Sequence, residues 1–167
     1  MAKTATYSLI ASTTLGSNQA SYSFTSIPST YTDLVLVAMV FNSVGSFYET
    51  QVQVNGDTGT NYSYTSLYGD GSAAASGRNS NGNRIPVGWN TNTVMVPTII
   101  NFEDYANTTI YKTVLARSSD SNNRVSANVG LWRNTAAINR IDINCEAGAN
   151  WKSGSTFKLY GILAGSN

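Results

Sequence analysis

The stretch 34-LVLVAMVF-41 places eight apolar residues in succession. A bilayer span needs roughly 20, so the run is too short to be one. Its valines favour extended backbone, and apolar side chains fall at both parities. A strand of that kind lies inside a sheet and is covered on both faces. A second sheet is the expected cover on one side, and a neighbouring subunit on the other.

Working outward, extended segments read at 5–11, 21–27, 33–41, 47–55, 61–69, 93–102, 110–118, 124–132, 137–145 and 156–163. Each is rich in Val, Ile, Thr, Tyr or Phe, and Gly, Asn, Asp, Ser or Pro separates them. In 50-TQVQVN-55, Val52 and Val54 alternate with polar neighbours. In 137-AINRIDIN-144, Ile138, Ile141 and Ile143 do the same, with a slip at Asn139-Arg140 that reads as a bulge. The segment 154-GSTFKLYGI-162 sets Phe157, Leu159 and Gly161 against Lys158, Tyr160 and Ile162, and it is expected to close a sheet beside the first strand. No segment carries a capped 3.6-residue stripe, so no helix beyond about two turns is expected. The pattern predicts a single all-β domain over 1–167: an antiparallel β-sandwich, jelly-roll-like, of about 8–10 strands.

Only 11% of residues are charged and the net charge is +1, against about 25% charged residues in an average soluble domain. Ser, Thr, Asn and Gly supply the polarity. Such a surface attracts nucleic acid and anionic lipid weakly, so neither is an expected partner. Residues 1–15 lack the continuous apolar run of an export signal, which points to synthesis in the cytoplasm.

The lone cysteine, Cys145, sits at an apolar parity and reads as a buried, inert thiol. With no histidine, Cys-His and Ser-His-Asp catalysis and the usual zinc sites are excluded. The nine carboxylates are scattered, and Glu103-Asp104 would face opposite ways if extended. The oxygen-rich 55-NGDTGTN-61 lacks the spacing of a calcium loop and reads as a turn on Asn55-Gly56. No enzyme activity, cofactor or metal is expected.

Between the strands read at 61–69 and 93–102, residues 70–92 read as one long Gly-, Ser- and Asn-rich loop. It carries Arg78, Arg84 and Trp89, residue types favoured as interface anchors, and is the candidate partner contact. Tyr62, Tyr64 and Tyr68 share one parity. They form either an aromatic binding face for sugar or protein, or a core stripe with hydroxyls at its rim.

Four stretches together resemble small β-rich virion proteins of tailed bacteriophages, chiefly those of marine and cyanobacterial hosts. They are 22-YSFTSIPSTYTDLVL-36, 54-VNGDTGTNYSYTSLYGDGS-72, 130-GLWRNTAAINRIDI-143 and 153-SGSTFKLYGIL-163. The resemblance follows the chain from end to end and implies a virion structural component, with no catalytic residues to carry over. The leading expectation is a head decoration (cement) protein that assembles into the virion in the host cytoplasm. It would be a homotrimer binding the major capsid protein or another virion protein. The rival is a tail-fibre module that binds a host-surface glycan during adsorption.

Overall fold

The computed structural model describes residues 6–121 and 123–163; the ends of the domain read over 1–167 lie outside them. Twelve strands run antiparallel to their neighbours. They are β1 (Tyr7–Thr14), β2 (Ser21–Phe24), β3 (Asp33–Val40), β4 (Tyr48–Val54), β5 (Tyr62–Gly69), β6 (Ala74–Gly82), β7 (Ile85–Asn90), β8 (Val96–Glu103), β9 (Lys112–Ser119), β10 (Val125–Trp132), β11 (Ile141–Cys145) and β12 (Thr156–Ile162). Among the described residues the only helix is a single 3-10 turn, Glu146–Gly148.

The strands form a β-sandwich of unequal layers. A wide sheet of eight runs β1-β12-β3-β8-β9-β10-β5-β6, and a narrow sheet of four runs β2-β11-β4-β7. This eight-plus-four split differs from the two-Greek-key plan of an eight-stranded jelly roll. The first and last strands are neighbours, with Tyr7 opposite Ile162 and Thr14 opposite Thr156.

Alternation sets the layers. In β3, Leu34, Leu36, Ala38 and Val40 are fully buried between the sheets. From the narrow sheet, Val52, Val54, Ile141 and Ile143 meet them in the same core, with Trp132, Trp151, Phe102 and Phe157. Burying each such aliphatic side chain contributes about 1.5–3 kcal/mol. Gly161 faces inward on β12, where a Cβ would fall 2.2 Å from the Tyr31 ring. Hydrogen there leaves the ring its place. Cys145 is buried with the core, and burial pushes its thiol up to about 11.

At Asn55 and Gly56, φ is 53° and 67°, and Asp57 N–H donates to the Val54 carbonyl at 3.0 Å. That is the tight turn expected there. The Asn55 side chain ties it to the segment before β11. Its Oδ1 accepts from Asn139 and Arg140 N–H at 2.9 and 3.1 Å, and its Nδ2 donates to the Ala137 carbonyl at 2.8 Å. Asn139-Arg140 is therefore not a bulge inside a strand; β11 begins only at Ile141. Asn55→Ala removes three hydrogen bonds and puts alanine in left-handed backbone, a loss of about 3 kcal/mol. Urea unfolding measures it; a loss below about 1 kcal/mol would show the tie to be unimportant.

The loop expected over 70–92 is instead two strands, β6 and β7, which join different sheets, and these are the two beyond the ten read from sequence. Residues 74–79 pair with β5 from Gly69 back to Tyr64. The Asp70 carboxylate fixes the turn before β6 by accepting from Ser72 and Ala73 N–H at 3.0 and 2.9 Å. Those hydrogen bonds, with the Ser72 hydroxyl, bring its pKa down to about 2. Backbone pairing alone builds β6, and this is why its Ala, Ser, Gly and Asn residues gave no strand signal.

Candidate functional site

The outer side of the wide sheet carries no described strand or helix, yet it is apolar. Along β10 the usual order is inverted. Val125 and Val129 point outward, 57% and 51% exposed, while Ser126 and Asn128 point inward, 7% and 5% exposed. The inward polar groups bond to one another: the Ser118 and Ser126 hydroxyls lie 2.9 Å apart, and Asn128 Nδ2 donates to Ser126 Oγ at 3.3 Å.

Register extends the outward stripe across neighbouring strands. Val129 lies between Leu115 and Thr65, and Ala127 between Arg117 and Leu67. Ile99 lies between Val37 and Arg117. Leu67 is 58% exposed. Leu67, Ile99, Leu115, Ala127 and Val129, with Arg117 among them, surround a shallow hollow of about 290 Å³.

The six residues singled out from sequence fall in different places. Arg78 lies opposite Thr65 on β6, at the end of the row through Leu115 and Val129. Arg84 closes the β6–β7 turn and donates from Nη1 to Gln51 Oε1 at 3.3 Å on the far side of the narrow sheet. Trp89, on β7, meets Tyr68 at 6.2 Å between ring centroids and 64° between planes. Arg78 and Trp89 thus line one cleft, while Arg84 lies apart from it on the narrow sheet.

The three tyrosines share the inner face of β5 but differ in role. Tyr62 is fully buried core. Its hydroxyl accepts from Val54 N–H at 3.2 Å and donates to the Asp57 carbonyl at 2.9 Å. Burial pushes it up to about 12. Tyr64 is half-buried, and Tyr68 is 39% exposed. Tyr62 therefore cannot serve a binding face, whereas Tyr64 and Tyr68 line a cleft with Glu49, Ser66, Arg78 and Trp89.

Glu49 was not singled out, because one carboxylate on an alternating strand carries no motif. Its partner across the strands is Trp89. Burial pushes its carboxyl above the ordinary 4.5; the Gln51 amide, bonded at 3.1 Å, opposes this and the Glu146 carboxylate adds to it. A carboxyl raised on folding binds more protons folded than unfolded just above pH 4.5, so stability falls as pH rises through that window. Glu49→Gln should accordingly raise the melting temperature at about pH 7 and change it little near pH 4. An equal gain at both pH values would refute this origin.

No family model, curated protein or solved structure matches the chain.

Proposed function

We propose that this chain is a non-enzymatic virion structural protein of a tailed bacteriophage. In that reading it is a head decoration protein that docks on the capsid lattice through the outer side of its wide sheet. The inverted β10, with valines outward and Ser126 and Asn128 inward, is the observation that carries it. An isolated sandwich gains nothing by turning its valines to water. A sheet that a partner covers gains a dry contact.

The size of the face fits such a contact. Strands β3, β8, β9, β10 and β5 lie side by side. At about 4.8 Å per strand and about 3.4 Å per residue they present a patch of roughly 600 Å² in projection. A specific interface takes about 800 Å² from each partner. In this reading the occupant is the major capsid protein or another virion protein. A homotrimer on three-fold and quasi-three-fold positions satisfies the lattice symmetry.

Electron cryo-microscopy of the intact purified particle tests the reading. Hundreds of copies between capsid subunits, with β10 against the lattice, are the expected result. A few copies at the tail would overturn it and transfer the protein to adsorption.

A further inference from the structure

We propose a second site on the other side of the wide sheet: a cleft that binds one neutral pyranose ring. It arises from the unequal widths of the layers. The narrow sheet ends at β7, while the wide sheet continues through β5 to β6. Residues 74–81 of β6 are exposed along their whole length, so no second layer lies under that overhang. The inner face of β5 and the free edge of β7 then form a ledge, enclosing a cleft of about 280 Å³.

The lining has the chemistry of a sugar site. Trp89 and Tyr68 meet at an angle of 64° and form an aromatic corner. One face of a pyranose ring is apolar C–H, and its rim is hydroxyl. The corner takes the first, and the Glu49 carboxylate and Ser66 hydroxyl take the second. Ser66 Oγ is buried without a hydrogen-bond partner, at the cost that an unpaired buried hydroxyl carries. Ser66 Oγ is closed to water in the empty cleft, and a small shift of the side chain toward a ligand hydroxyl supplies the missing partner.

The lining carries both signs and favours neither kind of ion. Arg78 lines the cleft opposite in charge to Glu49, whose N–H donates to the Glu146 carboxylate at 3.0 Å. A cation meets the Arg124 guanidinium, 5.4 Å from the Trp89 ring centroid and 3.8 Å from the Phe47 centroid. An apolar ligand leaves Ser66 unpaired. The volume lies just under the roughly 300–1,000 Å³ of pockets for drug-sized ligands, which suits one ring at a time.

The test titrates the purified protein with methyl glycosides of glucose, galactose, mannose and N-acetylglucosamine, and with N-acetylneuraminic acid. Saturation-transfer NMR and calorimetry read the binding. At least one neutral glycoside should bind with a Kd of roughly 1–10 mM, and Trp89→Ala and Tyr68→Ala should each weaken it about tenfold or more. Tyr68→Phe keeps the ring and should retain binding, which separates loss of the corner from loss of fold. Leu9→Ser, exposed on β1 at the far edge of the wide sheet, should change nothing.

Three results would overturn the site: no neutral glycoside bound at about 50 mM, binding unchanged in both alanine variants, or preference for the anionic sugar. None of them touches the docking face, so this inference and the decoration reading can fail separately.

Discussion

Val129→Asp should leave the isolated protein folded and abolish its attachment to the capsid. Val129 is 51% exposed and lies between Leu115 and Thr65 on the outer face. In free protein the new carboxylate stands in water, and the cost is a strand-propensity loss of about 1 kcal/mol or less. In a dry interface the same carboxylate has uncharged Leu115 and Thr65 directly beside it on the two neighbouring strands, and burying it unpaired costs several kcal/mol. A loss of about 3–4 kcal/mol lowers affinity roughly 100- to 1,000-fold. The measurement is occupancy on particles stripped of the protein and reconstituted with parent or variant. Leu67→Asp, at 58% exposure, should behave alike. Parent-level occupancy with either variant would place the docking surface elsewhere.

Most of the sandwich was legible in the sequence because its strands use β-branched and aromatic residues at a period of two. The ten segments read from sequence all contain strands, from β1 to β12. The two omitted ones had physical reasons to be silent. In β6, Ala74–Gly82 carries no residue of high strand propensity, and β7 is six residues with Pro86 inside it, which ordinarily argues against a strand interior.

The functional surfaces were less legible, and β10 shows why. Alternation says which residues share a face, but not which face is inside. In 124-RVSANVGLW-132 the apolar parity suggests a core stripe, yet it points outward. The reason lies across the sheets. β7 packs so close to β9 and β10 that small groups alone fit between them. A Cβ on Gly88 would fall 2.3 Å from Ser118 Oγ, and one on Gly130 would fall 2.4 Å from an Ile85 methyl. Ser118 and Gly130 take the tightest inner positions by volume, Ser126 and Asn128 bond beside them, and the valines are left outside. Arg78, Arg84 and Trp89 were grouped by sequence proximity; the passage from β6 in one sheet to β7 in the other sets Arg84 apart, while Arg78 and Trp89 line one cleft. Tyr64, Tyr68 and Trp89 did converge; Ser66, between the two tyrosines on β5, carries no motif, and Glu49 reaches the cleft from β4.

Gly130 provides the second large effect. It follows Val129 in the chain and points the opposite way, so it answers the complementary question. An added Cβ would sit 2.4, 2.8 and 2.9 Å from three carbons of the Ile85 side chain. Ile85 is 1% exposed and lies between the sheets, with no open space into which to withdraw. Overpacking of a filled core costs typically about 1–3 kcal/mol. Gly130→Ala should fall in that range, and Gly130→Val at or above about 3 kcal/mol. For a domain of this size, about 3 kcal/mol corresponds to a melting-temperature drop of roughly 6–12 °C. A space-making partner tests the cause. Ile85→Val alone costs about 1 kcal/mol, but combined with Gly130→Ala it should recover stability relative to the sum of the two changes. Simple additivity would mean that the two sheets can part locally and that their close approach does not dictate the inversion of β10. Favourable coupling would tie the crowded interior directly to the apolar exterior: the contact that excludes side chains at Gly130 is the one that turns Val129 toward a partner.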